Sequence, residues 1–435
     1  MPLDLPSYIA GVPFESQDRL EVFNPWNNEC VGRVSRITPV QLEEAIRTSL
    51  KGGTALTRYE VGRACDVFRF AAMEALRDDG EIFSCDIAPG GKARKIFTTR
   101  EPLRLIAAIT PFNHPLNQVA HKLAPAIAVG APMILKPSEK TPLTAVRLAE
   151  VLYASGLPGW MLSVIHGGLD DLTRPMIRDE RIDLVTFTGS AAVGKDIAAT
   201  AGYKKLCLEL GGHSPMLVLE DADLELAALL ACEGSFRNSG QRCTSARRLL
   251  VHEAVLEEFT RRFVKKAAEY VCGDPTDEAT RVGTVIDERS AQNLEKAVQE
   301  AIAAGAQLLA GGVRKGAQLQ PTILANVPRT AYIAQNECFG PIAPIFPVRD
   351  LEDALELANA TPYGLSSSVV TRSLESALTA VKRIRAGTVN INEIPGYRLE
   401  LSPFGGVKDS GLGIKEGVVE AIKFMSTVKT FSLPW

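Results

Sequence analysis

The chain has 435 residues, 46% of them hydrophobic and 23% charged, with a formal net charge of −3. That length exceeds what one hydrophobic core usually serves, so a soluble protein of two or more domains is expected. The near-balanced charge offers no basic field for nucleic acid or an anionic membrane surface, and neither partner is expected.

The opening stretch "MPLDLPSYIAGVPFESQDRL" has no positive region followed by an apolar one, so no signal peptide is expected. The longest apolar run, near "LAPAIAVGAPMIL", is broken by two prolines and a glycine and is too short to span a bilayer. Eight cysteines without a CxxC pair suggest neither a disulfide framework nor a zinc site. The expected compartment is the reducing cytoplasm.

In chain order, Thr38, Pro39 and Gln41 suit a helix start, with Leu42, Ala45 and Ile46 on one face. Residues 61–76 read as a second amphipathic helix, and 90–103 alternates like a strand. From 103 onward, strands in 103–110, 132–136, 161–167, 182–189 and 205–210 alternate with helices in 117–130, 141–156 and 190–201. In the second of these helices Thr141 precedes Pro142 and Gly156 closes the turn. Such alternation means βαβ units and a mostly parallel, doubly wound sheet, which binds nucleotides at the carboxyl ends of its strands. A second α/β region begins after "ELGGHSP", with a strand at 216–219, a helix from Leu224, a strand at 247–252 and a helix at 253–271. Further αβ units run to about residue 390, and the last ten residues are again extended. Extended segments as isolated as 90–103 and the C-terminus often pair between subunits.

Polar motifs sit at the ends of the first domain's strands. Asn113 follows one strand, Lys136, Ser138 and Glu139 follow the next, and Gly189, Ser190 and Gly194 mark a strand-to-helix turn. The two glycines let backbone approach a pyrophosphate at a helix N-terminus, and Lys136 and Glu139 suit ribose hydroxyls. No GxGxxG is present, so the ordinary dinucleotide fingerprint is missing.

Cys243 in "NSGQRCTSARR" directly follows Arg242. A neighbouring cation favours the nucleophilic thiolate, and an arginine also grips anions through its planar fork of donors. Cys65, Cys85, Cys207, Cys232 and Cys272 read as small buried hydrophobes, and Cys30 and Cys338 as incidental.

The motifs "PFNHP", "KPSE", "FTGS", "LELGG", "GQRC", "ECFGP" and "SPFGGVKDSG" occur in this order across residues 111–411. Together they resemble the aldehyde dehydrogenase superfamily along nearly the whole chain. Within it, "ITPFNHPLN", "NSGQRCT", "PGYRLE", "KEGVVEA" and the ending "VKTFSLPW" resemble phosphonoacetaldehyde dehydrogenases. Enzymes for sulfonated or phosphorylated aldehydes, lactaldehyde and succinate semialdehyde share some of these pieces.

The resemblance implies an α/β fold with a Rossmann-type NAD-binding domain from 1–82 and 103–210, completed by about 408–422. It further implies a catalytic domain over 211–407 and a small oligomerisation extension from 83–102 and 423–435, in a homodimer or homotetramer. Cys243 would attack the aldehyde carbon, Asn113 and the Cys243 N–H would hold the oxyanion, and Glu209 would activate water against the thioester. Glu337 matches a position holding the nicotinamide ribose, with Phe339 beside it, and Leu210 lies next to Glu209. Glu139 matches a position contacting the adenosine ribose, where a carboxylate repels a 2′-phosphate, so NAD is expected over NADP. Arg63, His114, Arg242 and Arg398 match positions lining the substrate pocket, and their charge suits an anionic substrate. Phosphonoacetaldehyde is the first expectation, while sulfoacetaldehyde, sulfolactaldehyde, phosphonoformaldehyde, succinate semialdehyde, glyceraldehyde 3-phosphate and lactaldehyde stay open. Lys122 matches a lysine near the active site, against the plain alternative of a solvated helix lysine.

One departure stands out. Between "EEAIRTSLKGG" and "LTRYEVGRA" the chain is several tens of residues shorter than the family pattern. A non-catalytic scaffold is therefore the alternative to an enzyme, and thiol attack by coenzyme A the alternative to hydrolysis.

Overall fold

The computed structural model describes residues 3–9, 11–37, 58–77, 80–275, 277 and 279–434. The expected helix start at Thr38–Gln41 and the shortened stretch near 50–57 lie outside these residues.

Two seven-stranded sheets carry the architecture. The first runs Lys205–Glu209, Leu184–Thr188, Ile106–Ile109, Met133–Lys136, Leu162–Val164, Ser7–Ile9, Val12–Phe14. Its first five strands are parallel and the last two pairings antiparallel. Four of these parallel strands are buried almost throughout, as strands covered on both faces must be. The strand order reverses between Ile106–Ile109 and Leu184–Thr188, a switch point that opens a crevice beyond the strands' carboxyl ends. Asn113 and Gly189 both follow those two strands.

The second sheet runs Gln307–Ala310, Thr322–Ala325, Ile342–Val348, Ala246–His252, Ser214–Val218, Ser366–Val370, Thr388–Ile391. All its pairings are parallel except the first. Each sheet buries apolar clusters on both faces, with Ile106, Leu135 and Leu184 central to the first and Leu217, Leu250 and Val369 to the second. The architecture is a two-domain α/β fold of mostly parallel strands.

The extended segments Arg94–Pro102 and Ser426–Pro434 pair with each other, antiparallel over nine residues, and with Ile82–Ser84. Arg94–Pro102 is thus paired on both sides within the chain, and Ser426–Pro434 lies at the edge of this three-stranded sheet. Thr141 does not cap its helix, which spans Leu143–Ala154, because its hydroxyl donates to Phe112 O at 3.4 Å. Leu3–Leu5, Cys30–Ser35 and Arg19–Phe23 form a three-stranded sheet that period-two patterning did not reveal.

All eight cysteines are free. Cys207, Cys232 and Cys338 are buried, whereas Cys65, Cys85 and Cys272 are half-buried rather than enclosed. No helix of the described residues is long and apolar enough to cross a membrane.

Candidate active site

Cys243 sits in the loop entering strand Ala246–His252. Asn238 and Ser239 in that loop take left-handed backbone at φ 56 and φ 52, a conformation costing about 1–3 kcal/mol each that only surrounding contacts sustain. Gly240, at φ 68, packs so closely on the Gly340 carbonyl that a Cβ would collide with it. Asn238 Nδ2 donates to Asn113 O at 3.1 Å, and Asn113 Nδ2 donates to Gln241 O at 2.9 Å. An amide carries two N–H donors, so one Asn113 donor fixes the loop and one is left for an oxyanion.

The turn holding Asn113 and His114 is anchored from elsewhere. Helix Asn117–Val129 has no side-chain cap of its own at Leu116. Glu60 Oε1, from helix Arg58–Glu74, instead accepts from Leu116 N at 3.0 Å and Asn117 N at 2.8 Å. This carboxylate satisfies orphan donors and complements the helix dipole.

Two cavities meet at the nucleophile. The first, about 420 Å³, is lined by Pro111, Asn113, Gly189, Ser190, Glu209, Leu210, Cys243, Glu337 and Phe339, among others. The second, about 560 Å³, is lined by Glu60, Arg63, Asn113, His114, Arg237, Arg242, Cys243, Tyr397 and Arg398, among others. Asn113, Gln118 and Cys243 belong to both.

Of the residues expected to contact a cofactor, Gly189, Ser190, Leu210, Glu337 and Phe339 line the first cavity. Ser190 caps helix Ala191–Ala201 at Val193 N, and Gly194 is small enough to let Leu210 pack against that helix. Glu337 Oε1 accepts from Gly212 N at 3.2 Å, while a Cβ on Gly211 would strike its other oxygen. Burial raises the Glu337 pKa and the Arg247 charge opposes it. Phe339 meets Phe112 edge-on at 5.9 Å. Lys136, Ser138 and Glu139 follow the neighbouring strand Met133–Lys136 and do not line this cavity. The buried Lys136 has its pKa lowered by desolvation, with Glu139 opposing.

Glu209 ends strand Lys205–Glu209, is 3% exposed, and neither carboxyl oxygen has a protein partner. Burial first, then the neighbouring Glu416, raise its pKa well above the ordinary carboxylate value. Lys122 is a buried residue rather than a solvated one: Nζ donates to Thr186 Oγ1 at 2.9 Å and to Glu416 Oε1 at 3.1 Å.

Cys243 behaves differently from the sequence argument. Burial pushes its thiol up to about 11, and the cation opposing that most is Arg398, not the adjacent Arg242. The Arg242 guanidinium turns away to donate to Glu233 O at 2.7 Å and Gly234 O at 2.9 Å. Its buried Nε, like Nη1 of Arg398, has no protein partner.

Arg63, Arg242 and Arg398 do converge. Burial and these three charges pull His114 down to about 3, which leaves its ring neutral at physiological pH. Beneath the arginines lies Glu400, which motif reading left without a role. It accepts from Arg63 Nε, lies 2.5 Å from His121 Nε2, and stands 3.7 Å from Arg398 Nη2. Burial works against its ionisation, but the bond to His121 and the charges around it hold its carboxyl below the usual range. Four arginines against Glu60 and Glu400 leave the second cavity with a positive surplus.

A model described as "Aldehyde dehydrogenase family" matches residues 51–431. The chain belongs to the aldehyde dehydrogenase family. It is 36% identical to aspartate-semialdehyde dehydrogenase 1 of Pseudomonas canavaninivorans, with 96% of this chain and 97% of the relative covered. It is 38% identical to 3-sulfolactaldehyde dehydrogenase of Priestia aryabhattai over 89% of this chain and 81% of that one. The solved aldehyde dehydrogenase 21 of Physcomitrella patens, in complex with its product succinate, superposes at a TM-score of 0.94 with 33% identity, covering 100% of this chain and 98% of that one. Solved neighbours include complexes with NADP and with NAD+. The alignment to the first relative runs over 457 positions, more than the 435 residues present here, so part of that relative has no counterpart in this aldehyde dehydrogenase. The chain is thus an NAD(P)-dependent aldehyde dehydrogenase.

Proposed function

We propose that this enzyme oxidises a small anionic aldehyde, phosphonoacetaldehyde foremost, to its carboxylic acid with NAD, and releases the acid by hydrolysis. The observation that carries the reading is the second cavity. It ends at Cys243 and Asn113 and gathers Arg63, Arg242 and Arg398 around a neutral His114. A short aldehyde with its carbonyl at Cys243 would place its charged end among the arginines, where charge-assisted bonds are strongest. Two buried donor nitrogens without protein partners, Arg242 Nε and Arg398 Nη1, supply the missing half of such bonds. Of the substrates named for the two relatives, 3-sulfolactaldehyde is a sulfonate anion, while aspartate semialdehyde carries a carboxylate balanced by an ammonium.

In this reading Cys243 loses its thiol proton to water, Sγ bonds to the aldehyde carbon as the carbonyl π bond breaks, and the resulting oxyanion takes N–H donors from Asn113 and from Cys243 itself. A nicotinamide dinucleotide, when bound in the first cavity, supplies the hydride acceptor that oxidation of a thiohemiacetal to a thioester requires. Gly189 and Ser190 at a helix N-terminus suit its pyrophosphate, Glu337 its nicotinamide ribose, and Lys136, Ser138 and Glu139 its adenosine end. Glu209, ionised, removes a proton from water. The hydroxide attacks the thioester carbon, the C–S bond breaks, and the acid leaves with Cys243 restored. A buried Glu209 beside the nucleophile favours water over coenzyme A as the acceptor.

The test is NADH formation across phosphonoacetaldehyde, sulfoacetaldehyde, 3-sulfolactaldehyde, succinate semialdehyde, glyceraldehyde 3-phosphate and lactaldehyde. Phosphonoacetaldehyde should show the highest kcat/KM. Equal efficiency with uncharged lactaldehyde would overturn the anionic reading, and a sulfonated substrate in first place would overturn the phosphonate one.

A further inference from the structure

Arg247 sits near the end of "NSGQRCTSARR", where the sequence assigns it no role, yet it touches both halves of the active site. It is 2% exposed, four residues beyond the nucleophile, at the start of strand Ala246–His252. Nη2 donates to Gly240 O at 3.1 Å and to Arg242 O at 2.8 Å, the two carbonyls flanking the turn into Cys243. Nη1 donates to Cys338 O, between the two residues assigned to the cofactor. Nη2 is also 3.8 Å from Glu337 Oε1, and the guanidinium carbon stands 5.0 Å from the Phe339 ring centroid.

We propose that Arg247 is a positioning residue that couples the seating of the cofactor at Glu337 and Phe339 to the geometry of the Cys243 loop. The proposal rests on the roles given above to Cys243 and Glu337. Its physical basis is the planar fork. One rigid guanidinium collects three carbonyls from two loops and faces the Glu337 carboxylate, so neither loop shifts without moving the other's donor. The loop it holds at Gly240 and Arg242 already stores left-handed backbone at Asn238 and Ser239, which makes it responsive to loss of a contact. Arg248 supplies the contrast. It is equally buried, but donates to His213 O at 3.0 Å, Leu357 O at 2.6 Å and Ala358 O at 2.9 Å, none of them in either loop. Lysine at 247 would keep a cation facing Glu337 but cannot bridge both loops.

The experiment measures the rate at which iodoacetamide alkylates Cys243 at pH 9, followed on its peptide by mass spectrometry, without and with saturating NAD+. The dissociation constant of NAD+ is measured on the same proteins by calorimetry. In the wild type, NAD+ should change the alkylation rate several-fold. Arg247→Lys should hold the NAD+ dissociation constant within about threefold of wild type while the rate ratio falls to about one. Arg247→Met should also weaken NAD+ about tenfold, as loss of a charge-assisted contact does. Arg248→Lys should keep the wild-type ratio. A wild-type ratio in Arg247→Lys, or a lost ratio in Arg248→Lys, would overturn the coupling. If the Arg247 variants do not fold, Glu337→Gln serves: an unchanged ratio there sinks the proposal as well. Full dehydrogenase activity in Cys243→Ala, or wild type that fails to bind NAD+, would instead refute the underlying assignment of the site.

Discussion

Lys122 Nζ lies 3.1 Å from Glu416 Oε1, and this buried pair shares its compartment with Glu209. Burial would raise both carboxyls. The Lys122 ammonium, bonded to Glu416, overrides burial there and holds that group below its ordinary value. Glu209, with no hydrogen-bond partner and a neighbouring negative charge, rises instead. Two carboxyls pushed apart by their surroundings divide the work: one stays ionised as a fixed charge and the other titrates where a base is useful.

The pH profile follows from that sign. Hydrolysis needs Glu209 ionised, so kcat should climb with pH through a limb lying above the ordinary carboxylate range. Glu416→Gln removes the charge opposing ionisation and leaves Lys122 to favour it, so the limb should move to lower pH. A limb moving upward, or not at all, would separate Glu416 from Glu209. Glu209→Gln should retain a first-turnover burst of NADH near one per subunit and lose about 10²–10⁴-fold in steady-state kcat, read by stopped flow.

Thiol reactivity tests the revised account of Cys243. A thiol pushed up to about 11 is almost wholly protonated at neutral pH, so alkylation of the free enzyme should be slow and rise about tenfold per pH unit between 7 and 10. Arg398→Ala removes the cation that most opposes the burial effect and should slow alkylation further. Arg242→Ala should do so less, because its guanidinium is committed to Glu233 O and Gly234 O. The reverse order would restore the idea that the adjacent arginine activates the cysteine.

The substrate clamp separates charge from chemistry. Arg398→Ala should raise KM for phosphonoacetaldehyde about 10–100-fold, the loss expected from a charge-assisted bond, while KM for a neutral aldehyde moves little. Glu400→Gln removes the carboxylate that holds Arg63 and Arg398, so it should raise KM for the anion even though it adds net positive charge to the cavity. A lower KM would mean that charge outweighs geometry.

The sequence exposed the residues that chemistry places at strand ends. Asn113, Gly189 and Glu209 each lie at or just beyond the carboxyl end of a parallel strand, where alternating patterns predict them. Cys243 and Glu337 stand out through their neighbours in "GQRC" and "ECFGP". The partners that set their behaviour were not legible. Lys122 and Glu416 are 294 residues apart in the chain, and Arg63 and Glu400 are 337 apart. Both Glu400 and Glu416 lie inside quoted motifs, "PGYRLE" and "KEGVVEA", but their roles depend on side chains that only tertiary packing brings near. Arg247 escaped for the same reason, since two adjacent arginines read alike until one is seen holding the active-site loops and the other structural carbonyls. Leu3–Leu5, Ser7–Ile9 and Val12–Phe14 failed as patterns because three residues are too few to show a period.

The antiparallel pair formed by Arg94–Pro102 and Ser426–Pro434 leaves Val428, Phe431 and Leu433 exposed at 54%, 44% and 47%, on an edge strand nine residues long. An apolar edge of that length is a liability unless covered, and a second copy of the same sheet is the covering consistent with a homo-oligomer. Val428→Asp should therefore lower the mass measured by light scattering toward that of one chain, with the far-ultraviolet circular dichroism unchanged because Val428 is not part of either core. An unchanged mass would place the subunit contact elsewhere.

In the proposed reading, with Glu139 at the adenosine ribose, cofactor choice rests on this carboxylate. At the end of strand Met133–Lys136 its carboxylate is the group that a 2′-phosphate would meet, while the neighbouring Lys136 ammonium is partly shielded by burial and by Glu139 itself. Under that reading, repulsion between two anions would favour NAD. Glu139→Gln removes the repulsion and leaves Lys136 to attract a phosphate, so kcat/KM for NADP should rise about tenfold and that for NAD fall modestly. Wild type preferring NADP would reverse the assignment, and a Glu139→Gln variant with the wild-type ratio would show that another residue reads the ribose.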